Sequence, residues 1–514
     1  MTGAVTLALE VLASRIMTPY FGVSLFIWSG ILSITLAFLA IGYWAGGRAA
    51  AGKSVEELLS LFLAGPAVAS VAIGVAAIVY PALFPLLAQS DLVLGSFVGG
   101  AVLLAIPIVM LSAMNPLLVA LRREDAERGD AGAGVVFFVS TVGSVAGVLV
   151  TTFLFIPQFS NFTAMLVLGI AIGLGTVLLA ATAQPQPSAR GNITITAIVG
   201  VALCVAMLLA KEPYLRSLAA VEGITLDLTV ARQYSSLYGT IKVVDAVRED
   251  GGKLRLYLQD GLVQNLIDDR GVSQSLHTHA LEELSLAYAP RARSALVLGL
   301  AAGLVPMRFK AEGVNVTVVD INPRSVEVAE RHFGFDADGI DVRIEDARTH
   351  VRRCKGQFDV VVVDLFHGDG TPDYLMTQEF FGDVARCLAR NDIIVMNTFY
   401  DGEHDLPNKR VLATIATAFG VILEFRSPSG GTFLVATNTV LPASVAIKAD
   451  QLPNDLLDAF NRTVASGRLI EASSIAAAEP FSDQHNSFSF VFARAEMEHR
   501  KSWAQGLPPG LLVN

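Results

Sequence analysis

The sequence predicts a multi-span α-helical membrane domain followed by an open α/β domain that begins with a small β section. Three observations lead there. The 514 residues are 53% hydrophobic and 16% charged, with a mean hydropathy of +0.54, too apolar for an ordinary soluble enzyme. The apolar residues are concentrated before Lys211, in runs that reach the ~20 residues a helix needs to cross a bilayer. After Glu212, short apolar runs alternate with amphipathic stretches, the pattern of a parallel sheet covered on both faces.

About seven spans are expected in residues 1–211, at 2–20, 25–49, 58–82, 92–120, 133–157, 162–183 and 193–210. The first is the weakest, because Glu10 and Arg15 interrupt it. Ionisable groups at such depth face a cavity or a partner. Two readings stand: a polar path, or a snorkelling Arg15 with Glu10 paired across helices. Asn115-Pro116 is expected to open a helix backbone.

Basic residues cluster after alternate spans: Arg48 and Lys53, then Arg122, Arg123 and Arg128, then Arg190. The loops near Gly22, Gln89 and Gln158 carry no Lys or Arg. A multi-pass protein of the cell membrane with its basic loops in the cytoplasm follows. The α/β domain is expected in the cytoplasm as well, although seven full spans would carry it to the other side. Cys204, Cys354 and Cys387 show no metal-ligand spacing, so neither a disulfide framework nor a metal site is expected. The net charge of −10 arises mostly after residue 211 and argues against a nucleic-acid partner.

Residues 212–290 read as a β section, strands falling within 223–266, and a connecting helix. Residues 291–514 read as a nucleoside-binding domain. Its strand candidates are 294–300, 314–320, 340–346, 358–364 and 392–398, closed by a hairpin within 420–437. Ligands of such sheets bind at the carboxyl ends of the strands. Asp320, Asp346 and Asp364 stand at three successive ends. The first can accept both hydroxyls of a ribose and the second an exocyclic adenine amine. A single strand-end aspartate is more commonly a helix cap, but the ordered set points to a nucleoside. Gly299 and Gly303, in "VLGLAAG", let backbone approach such a ligand closely. The loop is not GxGxxG, since Ala301 stands where the second glycine would be, and this argues against a bound pyrophosphate.

In order, these residues resemble the spermidine synthase (polyamine aminopropyltransferase) family. "SSLYGTIKVVD", "LYLQDGLVQN", "VLGLAAG", "VVDINP", "IEDAR" and "FDVVVVDLFHGDGTPDYLMTQEFF" match its successive motifs across about 225–440. The opening "LALEVLASRIMTPYFGVSLFIWSG" is similar to that of the family's bacterial membrane-fused form. The resemblance implies a Rossmann-like S-adenosylmethionine-binding domain whose substrate is S-adenosylmethionine or its decarboxylated form. The family transfers an aminopropyl group to an amine and releases methylthioadenosine. Asp364 then falls on the catalytic carboxylate and Tyr238 on the tyrosine of the amine site. His367 stands where the family has a second aspartate, as a base or a plain loop residue, with Asp369 just beyond it. Gly299, Ala302, Gly303, Asp320, Asp346, Asp260, Gln264 and His279 fall on donor-binding positions, with no metal. Small-molecule substrates and the lipid bilayer are the implied partners, and a homo-oligomer is compatible with them.

The departures remove carboxylates. Ala302 replaces the loop aspartate, Gly239 replaces a glutamine, and "LHTHALEEL" with His277 and His279 replaces a tyrosine-histidine-glutamate segment. Of the family's C-terminal acidic segment, Asp483 alone matches. An intact S-adenosylmethionine, with its carboxylate, thereby becomes a fitting ligand. The resemblance and its departures together imply a membrane-bound enzyme that transfers or cleaves the alkyl chain with release of methylthioadenosine; a methyltransferase, and a nucleoside-sensing transporter or receptor without catalysis, stand as alternatives.

Overall fold

A computed structural model describes residues 2–23, 25–122, 132–183, 185–218, 226–366, 370–399, 405–428, 430–442, 445, 447–448 and 452–514. The chain divides into two compact units, residues 1–224 with 500–514, and residues 225–499. Residues 500–514, expected with the α/β domain, therefore fall with the helical unit.

The first unit is helical. Six of its helices are long and apolar enough to cross a membrane: Ile27–Ala50, Val55–Ser90, Leu92–Arg122, Ala133–Gln158, Asn161–Thr182 and Pro187–Leu209. Thr2–Phe21, expected as a seventh span, is a continuous helix but is not one of the six. Glu10 and Arg15 dilute its hydropathy. Val55–Ser90 starts at a capping box, in which Glu57 N–H bonds Ser54 Oγ and Ser54 N–H bonds Glu57 Oε2. The Asn115-Pro116 step breaks the Leu92–Arg122 helix at Ala113. Asn115 Nδ2 then donates across to Ser140 Oγ at 3.4 Å. Tyr20, Tyr80, Phe84 and Phe162 make an aromatic core. The chain end joins this unit: Leu511, Leu512 and Val513 are buried, and the Asn514 carbonyl accepts the Phe162 N–H at 2.7 Å.

The second unit opens with β1 (Asp227–Ser236), β2 (Gly239–Val247), β3 (Lys253–Gln259) and β4 (Leu262–Asp268), an antiparallel meander in that order. The helix Leu276–Tyr288 leads into the main sheet. Its strands are β5 (Ser294–Leu298), β6 (Asn315–Asp320), β7 (Ile340–Ile344), β8 (Phe358–Val363), β9 (Leu388–Phe399), β10 (Val421–Arg426), β11 (Gly431–Thr437) and the short β12 (Arg468–Leu469).

The spatial order is β12-β10-β11-β9-β8-β5-β6-β7. β5 pairs in parallel with both β6 and β8, and β11 runs antiparallel to β9 and β10. This is the Rossmann-like α/β class with the terminal hairpin the sequence predicts. Both faces are covered, so the strands read as continuous apolar runs. Leu296, Leu298, Val361 and Val363 enter one core, while Ala295, Val297, Val360 and Val362 enter the other, as the two-residue period of a strand requires.

The strand order reverses between β5 and β8, and a ligand crevice opens at such a reversal. Ahead of β8 and β9, Cys354 and Cys387 are joined as a disulfide, with Cα atoms 5.0 Å apart. Their spacing of 33 residues carries no motif, which is why the sequence gives no sign of the bridge. Cys204 is free and buried.

Candidate active site

The carboxyl ends of β5, β6 and β8 are tied to one another through the loop that follows β5. Gly299 N–H bonds the Val319 carbonyl at 2.8 Å, Leu300 N–H bonds Asp320 Oδ2 at 3.0 Å, and Asp364 N–H bonds the Leu298 carbonyl at 3.0 Å. Gly299 has φ +99°, and a side chain there would collide with the Asp364 carbonyl oxygen. Glycine is therefore a steric requirement of this junction. Ala301 follows with φ +45°, a left-handed conformation that a residue with a Cβ rarely adopts.

Ala302 lies differently from its expected place beside a ligand. Its N–H bonds Asn265 Oδ1 at 3.1 Å. Its methyl group is fully buried among Ile241, Val243, Tyr257, Ile267, Val328 and Phe333. Gly303, with φ +78°, packs its Cα against Phe335 and starts the helix Leu304–Ala311.

Asp320 ends β6 half-buried. Oδ1 accepts the Asn322 N–H at 2.7 Å while Oδ2 holds Leu300. Burial raises its pKa, against the pull of these N–H groups. Ile321 and Ile344 expose apolar side chains at the ends of β6 and β7. Asp346 is both a cap and a wall residue. Oδ1 caps the helix Ala347–Val351 through Thr349 N–H at 2.8 Å, and Oδ2 accepts the Tyr374 hydroxyl at 2.7 Å. Burial and that bond both raise the Tyr374 phenol. The buried Arg348 holds this wall, donating to the Tyr374 carbonyl at 2.9 Å and to Asp483. Its guanidinium keeps the Asp483 carboxyl below the usual range.

Asp364 follows β8 and is half-buried. Asn397, at the carboxyl end of β9, donates Nδ2 to Asp364 Oδ1 at 3.1 Å. Burial raises the Asp364 pKa, while His277 and Asn397 oppose the shift. Of the two histidines on the helix Leu276–Tyr288, His277 is the one that acts on Asp364. His279, expected at the donor, has both ring nitrogens engaged, Nε2 with the Ser273 carbonyl at 2.9 Å and Nδ1 with Glu282 at 3.4 Å. Burial pulls its pKa down, but Glu282 and the Ser273 carbonyl outweigh burial and raise it.

Asp260 and Gly261, with φ +47° and +82°, make the β3–β4 hairpin turn. Asp260 Oδ1 accepts the Thr240 N–H at 2.9 Å. That anchors the β1–β2 turn, whose Tyr238 is half-buried and acts electrostatically on Tyr374. Gly239 has φ +114°, and any side chain there would strike the Asp260 carboxylate. The absent glutamine thus has a steric reason. Gln264 is half-buried and reaches His277 through its main chain. His367 and Asp369 lie outside the described residues. Among the described residues, no three His, Cys, Asp or Glu are grouped to hold a metal ion.

Sequence reasoning missed Asn265, Asn397, Tyr374 and Arg348. Asn397 was reachable by the same strand-end rule that found the aspartates. The other three become visible only when separate segments fold together.

Residues 276–420 match the family model described as spermine/spermidine synthase domain. A polyamine aminopropyltransferase of Vibrio vulnificus (strain CMCP6) is 31% identical over 176 residues, covering 32% of this chain and 56% of that protein. A polyamine aminopropyltransferase of Thermoplasma volcanium is 29% identical over 181 residues, covering 32% and 66%. The N-terminal histidine N-methyltransferase of Emericella nidulans is 31% identical over 139 residues, covering 26% and 24%. The chain thus spans between about half and two-thirds of the length of the two aminopropyltransferases. The crystal structure of a probable spermidine synthase from Corynebacterium glutamicum aligns with TM-score 0.41 at 18% identity, over 50% of this chain and 97% of that one. The similarity to the spermine/spermidine synthase domain lies within the α/β half, over residues 276–420.

Proposed function

We propose that this protein is a membrane-embedded transferase of the aminopropyltransferase type, acting on S-adenosylmethionine or its decarboxylated form. One observation carries the reading. Gly299, Asp320, Asp346 and Asp364 lie at the carboxyl ends of β5 to β8, around the strand-order reversal, within the stretch that matches the family model. In this reading Asp320 holds the ribose and exchanges part of its backbone bonding for the hydroxyls. Asp346, with Ile321 and Ile344 beside it, receives the adenine.

Asp364 faces the reacting centre. The chemistry is a displacement at the carbon next to a sulfonium. The protein must orient the nucleophile and free its lone pair, because an ammonium has none. Burial raises the proton affinity of Asp364, which suits a proton acceptor. Transfer that releases methylthioadenosine, rather than simple cleavage, is the reading the aminopropyltransferase relatives favour. Methyl transfer is the second reading, because a histidine N-methyltransferase is among the relatives. The six long apolar helices support residence in the cell membrane.

The test is product analysis. The purified full-length protein is incubated with S-adenosylmethionine, and separately with its decarboxylated form plus putrescine. Methylthioadenosine together with spermidine from the decarboxylated form supports the proposal, methylthioadenosine from S-adenosylmethionine without an acceptor supports cleavage instead, S-adenosylhomocysteine supports methyl transfer, and binding without product refutes catalysis on these donors.

A further inference from the structure

β10 carries a buried carboxylate in the middle of an apolar run. Ile422, Glu424 and Arg426 share one face of the strand, and Leu423 and Phe425 share the other. Ile422 packs in the same core as Leu412 and Ile475, while Leu423 and Phe425 enter the opposite core. Glu424, on the first face, is 1% exposed. A carboxylate so deep has to be paired, and two guanidinium groups meet it. Arg426 Nε donates to Oε2 at 3.0 Å and Arg426 Nη2 to Oε1 at 3.4 Å. Arg468, opposite Glu424 across the β10–β12 ladder, donates Nε to Oε2 at 2.6 Å. One carboxylate thus holds two like charges side by side. A guanidinium has five N–H donors, so Glu424 does not by itself exhaust either one.

Both guanidiniums line a cavity of about 390 Å³ within the α/β unit, a volume in the range of small-molecule sites. Lys409 is a third cation in its lining, and Glu471 the one carboxylate there. Buried Leu412 and Ile475 add apolar surface, and Leu469, 61% exposed, adds more toward solvent. β11 and β9 separate β10 from β8, which puts this cavity roughly 14 Å from the strand that leads to Asp364. Three cations around one hole attract an anion. The planar fork of arginine fits phosphate oxygens in pairs, and a doubly charged phosphate takes more cations than a carboxylate does. We propose that this cavity is a second ligand site, which binds a phosphate monoester through Arg426, Arg468 and Lys409. The apolar lining suits an ester with a hydrocarbon part. A free phosphate ester and the headgroup of an anionic lipid share this chemistry. The site is independent of the transferase reading above.

Calorimetric titration of the full-length protein in detergent tests this, with inorganic phosphate, glycerol phosphate and dioctanoyl phosphatidate as probes. The parent is expected to bind at least one of them with Kd below roughly 1 mM. Arg468→Gln and, separately, Lys409→Gln are expected to weaken that binding about 10-fold or more, with the melting temperature of the unliganded protein unchanged in Lys409→Gln. Lys409→Gln leaves Glu424 with both its guanidiniums, so it reads the charge of the cavity even where Arg468→Gln lowers stability. Phosphatidate binding about 10-fold or more tighter than glycerol phosphate assigns the site to a lipid headgroup, and comparable affinities assign it to a free phosphate ester. No binding of any probe up to about 10 mM, or affinity unchanged in both variants, overturns the proposal. Competition by methylthioadenosine also overturns it, since the phosphate would then lie in the nucleoside site.

Discussion

The sharpest test of the loop is to restore the carboxylate the family carries there. If Ala302 faced the ligand, Ala302→Asp would strengthen binding of the decarboxylated donor. The structure predicts the opposite. The methyl group of Ala302 is sealed among Ile241, Val243, Tyr257, Ile267, Val328 and Phe333. A carboxylate placed there is buried and unpaired, so it is held protonated. Its folded pKa then rises above the unfolded ~3.9, and the folded state binds the extra proton. The cost is absent below the unfolded pKa and grows as pH rises toward the folded value. At 1.36 kcal/mol per unit, it reaches about 1.5 kcal/mol at pH 5 and about 5 kcal/mol at pH 7.5. For a unit of this size, the higher figure is a melting-temperature loss of roughly 10 °C. Thermal unfolding of variant and parent, compared at both pH values with methylthioadenosine and with decarboxylated S-adenosylmethionine, is the assay. An unchanged melting temperature at pH 7.5 together with tighter binding of the decarboxylated donor would refute the placement of residue 302.

Asp364→Asn is expected to abolish turnover with only a modest loss of nucleoside affinity by calorimetry, and unchanged turnover removes Asp364 from the chemistry. In the parent, kcat/KM should fall as pH drops through the raised Asp364 pKa, a limb lying above the ordinary carboxylate range. Asp320→Ala should weaken methylthioadenosine binding by 10-fold or more and free the Leu300 N–H, whereas normal affinity removes its ribose role. Gly239→Gln, which restores the family residue, should lower stability by roughly 1–3 kcal/mol through the left-handed φ and the collision with Asp260. A neutral result in denaturant unfolding counts against that account.

Much of the architecture was legible because it rests on periodicity. Strands buried on both faces read as unbroken apolar runs, and the terminal hairpin stood out from the crossovers. The strand-end placement of the three aspartates was legible because each closely follows an apolar run. What escaped depended on which way a side chain turns once segments from different parts of the chain meet. Ala302 faces apolar residues of β2, β3 and β4, far away in sequence. His277 and His279 are two residues apart, so a helix sends them in different directions, and the motif alone could not say which one acts electrostatically on Asp364. The Cys354–Cys387 bridge joins residues that no local spacing connects. The first helix shows the limit of hydropathy itself. Glu10 and Arg15 leave the backbone helical but drop the segment from the set of long apolar helices.

The return of residues 500–514 to the helical unit has a practical side. An expressed fragment running from residue 225 to the end would carry Leu507, Leu511, Leu512 and Val513 without the surface that buries them. Such a cluster of apolar side chains, stripped of its cover, drives self-association. A fragment ending at His499 omits it. Solubility of the isolated α/β unit should therefore depend on where its last few residues are cut, independently of anything at its active site.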